Sequence, residues 1–447
     1  MRKVGAIFDI GKTNKKFFLF DATYQEVYRK IKRFPEIEDD DGFPCDDLPA
    51  ITQWMKETLE EAFKLPEFDI QYLNFSGHGA SLVQVDENGR LVTPFYSYLK
   101  PFPEELKQKL FDQYGPEEKF LRETASPSLG MLNSGLQLYW LKHQKPEKYK
   151  QVKWSLHFPQ YLSYLFTGIP VSDYTSIGCH TMLWDYSKMD YHQWVYHEGL
   201  NEKLAPIHSS TTIFPTIIYG KEIAVGVGIH DSSASVLPYK NLTDSPFVIL
   251  STGTWSISLN PFNEAPLSQE ELAHDCLLFL NEKGETVKAA RLFLGNEYKH
   301  WVEELANHFG VPRDRHRNVL ADHALLAQLH VFPVHCFQWV SLLEAFPSAE
   351  KTRIEVFDSY EMAYHKLMQE LTHLQLRSLQ YALGSTEINT IYIDGGFADN
   401  QLFVHFLKEA LPEYELIATD KPLGSSVGAA LAVSRLSGNE SLSDLSS

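Results

Sequence analysis

This sequence is poor in cysteine, in positive charge and in long apolar runs. Its four cysteines, Cys45, Cys179, Cys276 and Cys336, show no CxxC spacing. That argues against a disulfide framework or a cysteine zinc site and fits the reduced thiols of a cytoplasmic protein. Lys and Arg number 40 against 58 Asp and Glu, for a formal net charge of −18. A broad surface for nucleic acid or anionic membrane is therefore not expected, although a local site for a small anion stays open. The apolar opening "VGAIF" stops at Asp9. No signal peptide is expected, and no segment reaches the length of a membrane span. The 18 histidines include no HExxH pair, and there is no GxxxxGK[ST] loop, GxGxxG fingerprint or GxSxG elbow. What is present is core material. A 447-residue chain that is 44% hydrophobic, with 28 Phe and 22 Tyr, has enough for two or three domains.

Strands and helices alternate along it, which predicts an α/β protein. "VGAIFDI" and "KKFFLFDATYQEVYRK" read as strands joined by a polar turn, and "LPAITQWMKETLEEAF" (48–63) as a helix. "IQYLNFSG" is a strand, and "ASLVQVDENGRLV" a hairpin about Asn88-Gly89. "SGLQLYWLKHQKPEKY" and "PQYLSYLFTG" read as helices, and 170–220 as an irregular stretch rich in Ser, Tyr, His and Trp. The segment "NLTDSP" suits a joint between domains. After it, "FVIL", "STGT" and "WSISLN" repeat the strand, turn, strand layout of the opening. A long helix near 355–383, strand "TIYIDGG", helix "NQLFVHFLKEAL", strand "YELIAT" and the small-residue helix "LGSSVGAALAVSRL" complete the pattern. The expected division is 1–240, 241–437 and a disordered tail, 438–447.

The two turns carry the chemistry. Small turns let backbone N–H groups approach phosphate oxygens, and hydroxyls add donors. The first offers Gly11, Lys12, Thr13 and Asn14; the second offers Ser251, Thr252, Gly253 and Thr254. Asp9, at the strand end before the first turn, could hold a Mg²⁺ ion. Lys15 and Lys16 face opposite sides of a strand, so at most one reaches a nucleotide, and Lys16 is favoured. Either turn could equally be a plain hairpin. In "GIHDSSAS", Asp231 ends an apolar strand, where a carboxylate could be a general base or simply a helix cap. In "YIDGGFADNQ", Gly395 and Gly396 would let a flat ring approach the backbone, or would merely turn the chain into a helix that has Asn400 in its first turn. His78 and Ser81, in "SGHGAS", lie between a strand and the hairpin, and flanking glycines suit exposure of His78 to a ligand.

In this order, from "FDIGKTNKK" to "LGSSVGAALAV", the motifs resemble the FGGY carbohydrate kinases of the actin/hexokinase/Hsp70-like superfamily. "GIHDSSASVLPY" followed by "LSTGTWSISL" looks most like the L-rhamnulokinase branch, with L-fuculokinase-like and xylulokinase-like enzymes nearby. The resemblance implies two ribonuclease-H-like lobes about a cleft holding ATP, Mg²⁺ and a small ketose or deoxyketose, and a possible homodimer. By position, Asp231 would be the base, Asp9 would orient the metal, and Gly11, Thr13, Asn14 and Lys16 would line the first phosphate turn. Thr252, Gly253 and Thr254 would form the second, with Gly395, Gly396 and Asn400 near the adenosine. His78, Ser81 and His230 would face the sugar. Three positions depart from the family pattern: Ser81 stands for an aspartate, Phe397 for a third glycine and Gln137 for a lysine. Two other classes stay open: an actin- or Hsp70-type ATPase without a sugar, and a catalytically weak sugar-binding regulator.

Overall fold

The computed structural model describes residues 1–419 and 424–434, and the tail expected at 438–447 lies outside them. The chain forms two compact units, and neither is continuous in sequence. The first holds Met1–Asp244, the segment Leu278–Thr286 and the helix Gly424–Ser434; the second begins at Ser245 and resumes at Val287. The division expected at 240/241 puts both of the distant segments in the C-terminal part, whereas they belong to the first unit. Among the described residues, no helix is long and apolar enough to cross a membrane, and no disulfide links the four cysteines, all of them buried.

The sheet of the first unit runs in the order Ile213–Ile218, Lys221–Gly226, Phe68–Gly77, Arg2–Ile10, Lys15–Phe20, Glu26–Lys32, with Ile229–His230 also paired to Phe68–Gly77. Strand Arg2–Ile10 is antiparallel to Lys15–Phe20 and parallel to Phe68–Gly77. Alternation along it sends Val4, Ala6, Phe8 and Ile10 into one core, and Ile7 into another shared with Phe18, Ile229, Ala234 and the helix Gly424–Ser434. The expected single strand "KKFFLFDATYQEVYRK" breaks in two. The Asp21 carboxylate accepts hydrogen bonds from the backbone N–H of Thr23 and Gln25 and caps a turn in which Tyr24 takes a positive φ. The expected helix over "SGLQLYWLKHQKPEKY" also divides, into Ser134–Gln144 and Pro146–Gln151, because Pro146 cannot continue the backbone ladder. Helix Leu48–Phe63 follows its periodicity, capped by Asp47, which accepts from Ala50 N–H.

The second unit repeats the topology. Strand Phe247–Thr252 is antiparallel to Ser256–Asn260 and parallel to Thr390–Gly395, which is parallel to Glu415–Ala418. Its core gathers Val248, Leu250, Leu367, Leu371, Ile391 and Ile393 around the long helix Tyr360–Leu383.

One buried histidine makes stability depend on pH. His157 is 0% exposed, its Nε2 lies 2.9 Å from the Ser134 hydroxyl and its Nδ1 has no partner. Burial first, and His230 second, push its pKa down from 6.5 to about 3. The neutral ring is favoured in the fold, so its stabilisation is complete above about pH 6.5 and is lost as pH falls, because the unfolded chain takes up the proton first. Between pH 7.5 and 5.0 the wild type should lose about 2 kcal/mol from this group. Urea unfolding of His157→Gln at the two pH values should show that much less pH dependence.

Candidate active site

Asp9, near the end of Arg2–Ile10, and Asp231, just past Ile229–His230, lie at the C-terminal edge of two strands that both run parallel to the strand Phe68–Gly77 between them. Asp9 is in register with Ser76, and Ser76 with Ile229, two residues before Asp231. The carboxyl ends of parallel strands are where α/β sheets place ligands. Asp9 shares the face of Ile7, and from that side the Ser425 hydroxyl donates to its Oδ1 at 3.2 Å. Lys16, its antiparallel register partner, donates to Oδ2 at 3.2 Å. Burial pushes the Asp9 pKa up; Lys16 opposes this, and the charge of Asp231 adds to it. Asp231 opens the short helix Asp231–Ala234, with its side chain about one-third exposed. Its hydrogen bonds fall on Oδ1, which accepts from Ser232 N–H at 2.7 Å and lies 3.2 Å from His230 Nε2.

His78 follows Phe68–Gly77, its ring packed against Phe158, Phe95 and Tyr98 with centroids 4.9, 6.0 and 5.5 Å away. Burial lowers its pKa to about 4 despite the charges of Asp231 and Asp46, so the ring is neutral with an unpartnered Nδ1. Ser81 is buried nearby in sequence, and Gln137 holds the backbone on both sides of it. The Gln137 amide donates to Ala80 and Met131 carbonyls, each at 2.6 Å, and its oxygen accepts from Leu82 N–H at 3.2 Å. That work for a neutral amide explains how the loop is kept without a lysine at this position. His230 is placed differently from the sugar-facing expectation. Its ring is buried, Nε2 facing Cys179 Sγ and Asp231 Oδ1 and Nδ1 facing the Ser233 hydroxyl.

The first turn closes by Gly11 N–H donating to Asn14 C=O at 3.1 Å. Thr13 is exposed at its tip, and the Asn14 side chain accepts from Arg33. Lys12 and Lys15 point away from Asp9, both donating to Asp46 at 2.9 Å, while Lys12 also reaches Glu36. Burial opposes the charge of Asp46, yet the two lysines outweigh it and hold its pKa low. Glu36 and Asp46 are register partners in a small hairpin. Its tip carries Asp39, Asp40 and Asp41, the group of acids that, among the described residues, is close enough to hold a metal. Lysines occupy it instead. Lys100 donates to Asp39 and Asp41, Lys145 to Asp41, Lys148 to Asp40, and the Tyr96 hydroxyl to Asp40. The hairpin thus ties the first turn to the helices beyond. Asp46→Asn should cost about 2 kcal/mol by leaving Lys15, only 2% exposed, without a full counter-charge; thermal unfolding checks this.

In the second unit Thr252 ends the central strand and Gly253 and Thr254 are exposed, with Gly253 N–H donating to Trp255 C=O at 3.0 Å. The Thr252 hydroxyl is taken by its neighbours: it donates to Asp394 C=O at 2.6 Å and accepts from Phe397 N–H at 3.1 Å. Gly395 has φ +88°, and a Cβ there would lie 1.8 Å from Thr252 C=O, so only glycine fits. Gly396 has open space beside it. Asn400 caps helix Gln401–Ala410, its Oδ1 accepting from Leu402 and Phe403 N–H and its amide donating to the Tyr364 hydroxyl. Phe397, at the third-glycine position, packs between Tyr298 and Phe403. Gly295, which no motif singled out, places the N-terminus of helix Leu294–Phe309 on the second turn. A Cβ there would lie 2.1 Å from Gly253 C=O, which aims a positive helix end at that turn.

The chemistry of Asp9 suits a divalent cation. The carboxylate is buried, feels the charge of Asp231, and is served by hydrogen bonds no shorter than 3.2 Å. Residues 4–234 match the FGGY family of carbohydrate kinases, N-terminal domain, and 244–441 match the carbohydrate kinase FGGY C-terminal domain. A rhamnulokinase of Halalkalibacterium halodurans is 25% identical over 270 residues, 56% of this chain and 54% of that protein, so the chain spans about half of its length. The crystal structure of a carbohydrate kinase from Novosphingobium aromaticivorans is similar at TM-score 0.81 and 25% identity, over 96% of this chain and 91% of that one. A ligand-bound xylulose kinase from Lactobacillus acidophilus shares the fold at TM-score 0.79 and 16% identity, over 99% and 91%.

Proposed function

The chain belongs to the FGGY family of carbohydrate kinases, and from that premise we propose that it transfers the γ-phosphoryl group of ATP to a hydroxyl of a small ketose or deoxyketose. The observation that carries this reading is Asp231, a carboxylate about one-third exposed whose charge is felt by Asp9 at the carboxyl edge of the first sheet. Asp231 takes the proton of the sugar hydroxyl as its oxygen bonds to the γ-phosphorus; the bond to the bridging oxygen breaks and ADP leaves. With Oδ1 engaged by Ser232 N–H, Oδ2 is the atom that accepts this proton.

The remaining residues position charge. Asp9 and Lys16 are paired; with substrate bound, Lys16 would serve phosphate oxygens and Asp9 would be free to hold the cation. Bound there, Mg²⁺ would neutralise charge on the phosphates. The exposed turn at Thr13 and the turn at Gly253 and Thr254, backed by its helix N-terminus, supply donors to phosphate. Gly395 and Gly396 leave the backbone bare for the adenosine. Neutral His78 and Tyr98, backed by the buried rings of Phe95 and Phe158 and with Ser81 buried nearby in sequence, would offer the sugar a surface with little charge of its own. The likeness to rhamnulokinase and xylulose kinase favours a ketose of five carbons or a 6-deoxyketohexose.

A thermal-shift screen with Mg-ATP and a panel of such sugars tests the binding half of the proposal. At least one sugar should raise the melting temperature by a few degrees at millimolar concentration, as ligand linkage requires. Stabilisation by Mg-ATP with none by any sugar would favour an ATPase without a sugar substrate.

A further inference from the structure

We propose that Tyr98 is a specificity-determining residue: its phenol hydroxyl, beside His78, hydrogen-bonds a hydroxyl of an uncharged ketose and so selects such a sugar over a sugar acid. This rests on the first unit binding the sugar. Tyr98 is half-buried, and its ring meets that of His78 at 64° with centroids 5.5 Å apart. Neither the Tyr98 hydroxyl nor either nitrogen of His78 hydrogen-bonds to any of the described residues. A phenol without a protein partner has both a donor and an acceptor to give to a ligand. The loop that carries it is held on both sides. Lys100 N–H donates to Ser97 C=O at 3.1 Å and Leu99 N–H to the Ser97 hydroxyl at 3.2 Å, so Tyr98 sits at the tip of a tight turn. Before it, the Tyr96 hydroxyl donates to Asp40 at 2.8 Å; after it, Lys100 Nζ donates to Asp39 and Asp41, each at 2.6 Å. The three acids of the hairpin tip thus fix the turn that presents Tyr98.

The charges around the pair decide which kind of sugar it suits. Burial raises the Tyr98 pKa, Lys12 opposes this, and Asp231, Asp46 and Glu36 add to it. The cation is outnumbered, and it is also engaged. Lys12 donates to Glu36 and Asp46, and Lys15 to Asp46 and to Lys12 C=O. Burial keeps the His78 ring neutral. Among these residues no positive charge is left over for the carboxylate of an aldonate, which would also meet the repulsion of Asp231. Two neutral groups that hydrogen-bond hydroxyls suit a ketose.

Tyr98→Phe keeps the ring against His78 and removes only the hydroxyl. With no protein hydrogen bond lost, its melting temperature should match that of the wild type. Across ketopentoses and 6-deoxyketohexoses, the best ketose should show a KM about tenfold higher in this variant, the cost of one neutral hydrogen bond, with KM for ATP and the ATP-only rate unchanged. D-Gluconate, the acidic probe, should have a wild-type kcat/KM at least about 100-fold below that ketose. Calorimetry with monodeoxy analogues of the same ketose separates a contact from a general disturbance. One analogue should bind wild type and variant alike, because the hydroxyl that Tyr98 holds is already gone. An unchanged KM for the best ketose, a variant that weakens every analogue as much as the parent sugar, or gluconate as the better acceptor would overturn the proposal. The two ideas fail separately. If no ketose raises ADP release in the wild type, the sugar-kinase reading itself fails. If one does and Tyr98→Phe leaves its KM unchanged, only the role of Tyr98 fails.

Discussion

Asp231→Asn should fold, bind ATP with unchanged affinity and lose about 10³-fold of its sugar-dependent ADP release, within the range that general bases contribute. The substitution keeps the shape and the hydrogen bonds at one oxygen. Ser232 N–H donates to Oδ1, and an amide oxygen can accept that bond. What disappears is the basic atom at Oδ2. Repulsion is also removed, since the Asp231 charge is one of the causes that raise the Asp9 pKa. Folding stability should therefore hold or rise slightly, and a loss of activity could not be ascribed to unfolding. Steady-state ADP release with and without sugar, beside a thermal melt, checks both parts. Turnover within tenfold of the wild type would remove Asp231 from the role.

Gly428→Ala should cost about 3 kcal/mol of stability and lower kcat in the protein that remains folded, as overpacking against rigid backbone does. Gly428 lies in the helix Gly424–Ser434, and a Cβ there would stand 1.8 Å from the carbonyl oxygen of Ala234 and 2.5 Å from its carbonyl carbon. Neither atom can rotate away, so helix or partner must move. The partner is the helix Asp231–Ala234, which begins with the proposed base. The same small-residue helix accepts a hydrogen bond from Asn74 at Ala429 C=O (2.8 Å) and donates one from Ser425 to Asp9. A shift would disturb both carboxylates. Thermal unfolding together with kcat reads the effect; an unchanged melting temperature would mean that the helix has slack the packing does not show.

Much of this was legible in the sequence because it depends on neighbours in the chain. Alternation in "FDIGKTNKKFFLF" already placed Lys15 and Lys16 on opposite faces, and the structure gives Lys15 to Asp46 and Lys16 to Asp9. The second strand-turn-strand showed through "FVILSTGTWSISLN", although the turn hydroxyl of Thr252 serves its neighbours. Contacts between distant residues were not legible. Nothing local in "LGSSVGAALAV" says that it returns to the first unit, and nothing near Asp46 says that it anchors a turn some 30 residues earlier. Asn400 and His230 were read by their chemistry as ligand groups. The structure spends the first on a helix cap and encloses the second in protein contacts, because a polar side chain is claimed by the nearest unpaired backbone or buried group before it is offered to solvent.

The most direct test of the account is a coupled assay of ADP release with Mg-ATP across ketopentoses, 6-deoxyketohexoses and polyols. At least one ketose should raise the rate at least 100-fold above the ATP-only background, and the rise should vanish in Asp231→Asn. A rate that no sugar lifts above that background would contradict a sugar kinase built on Asp231.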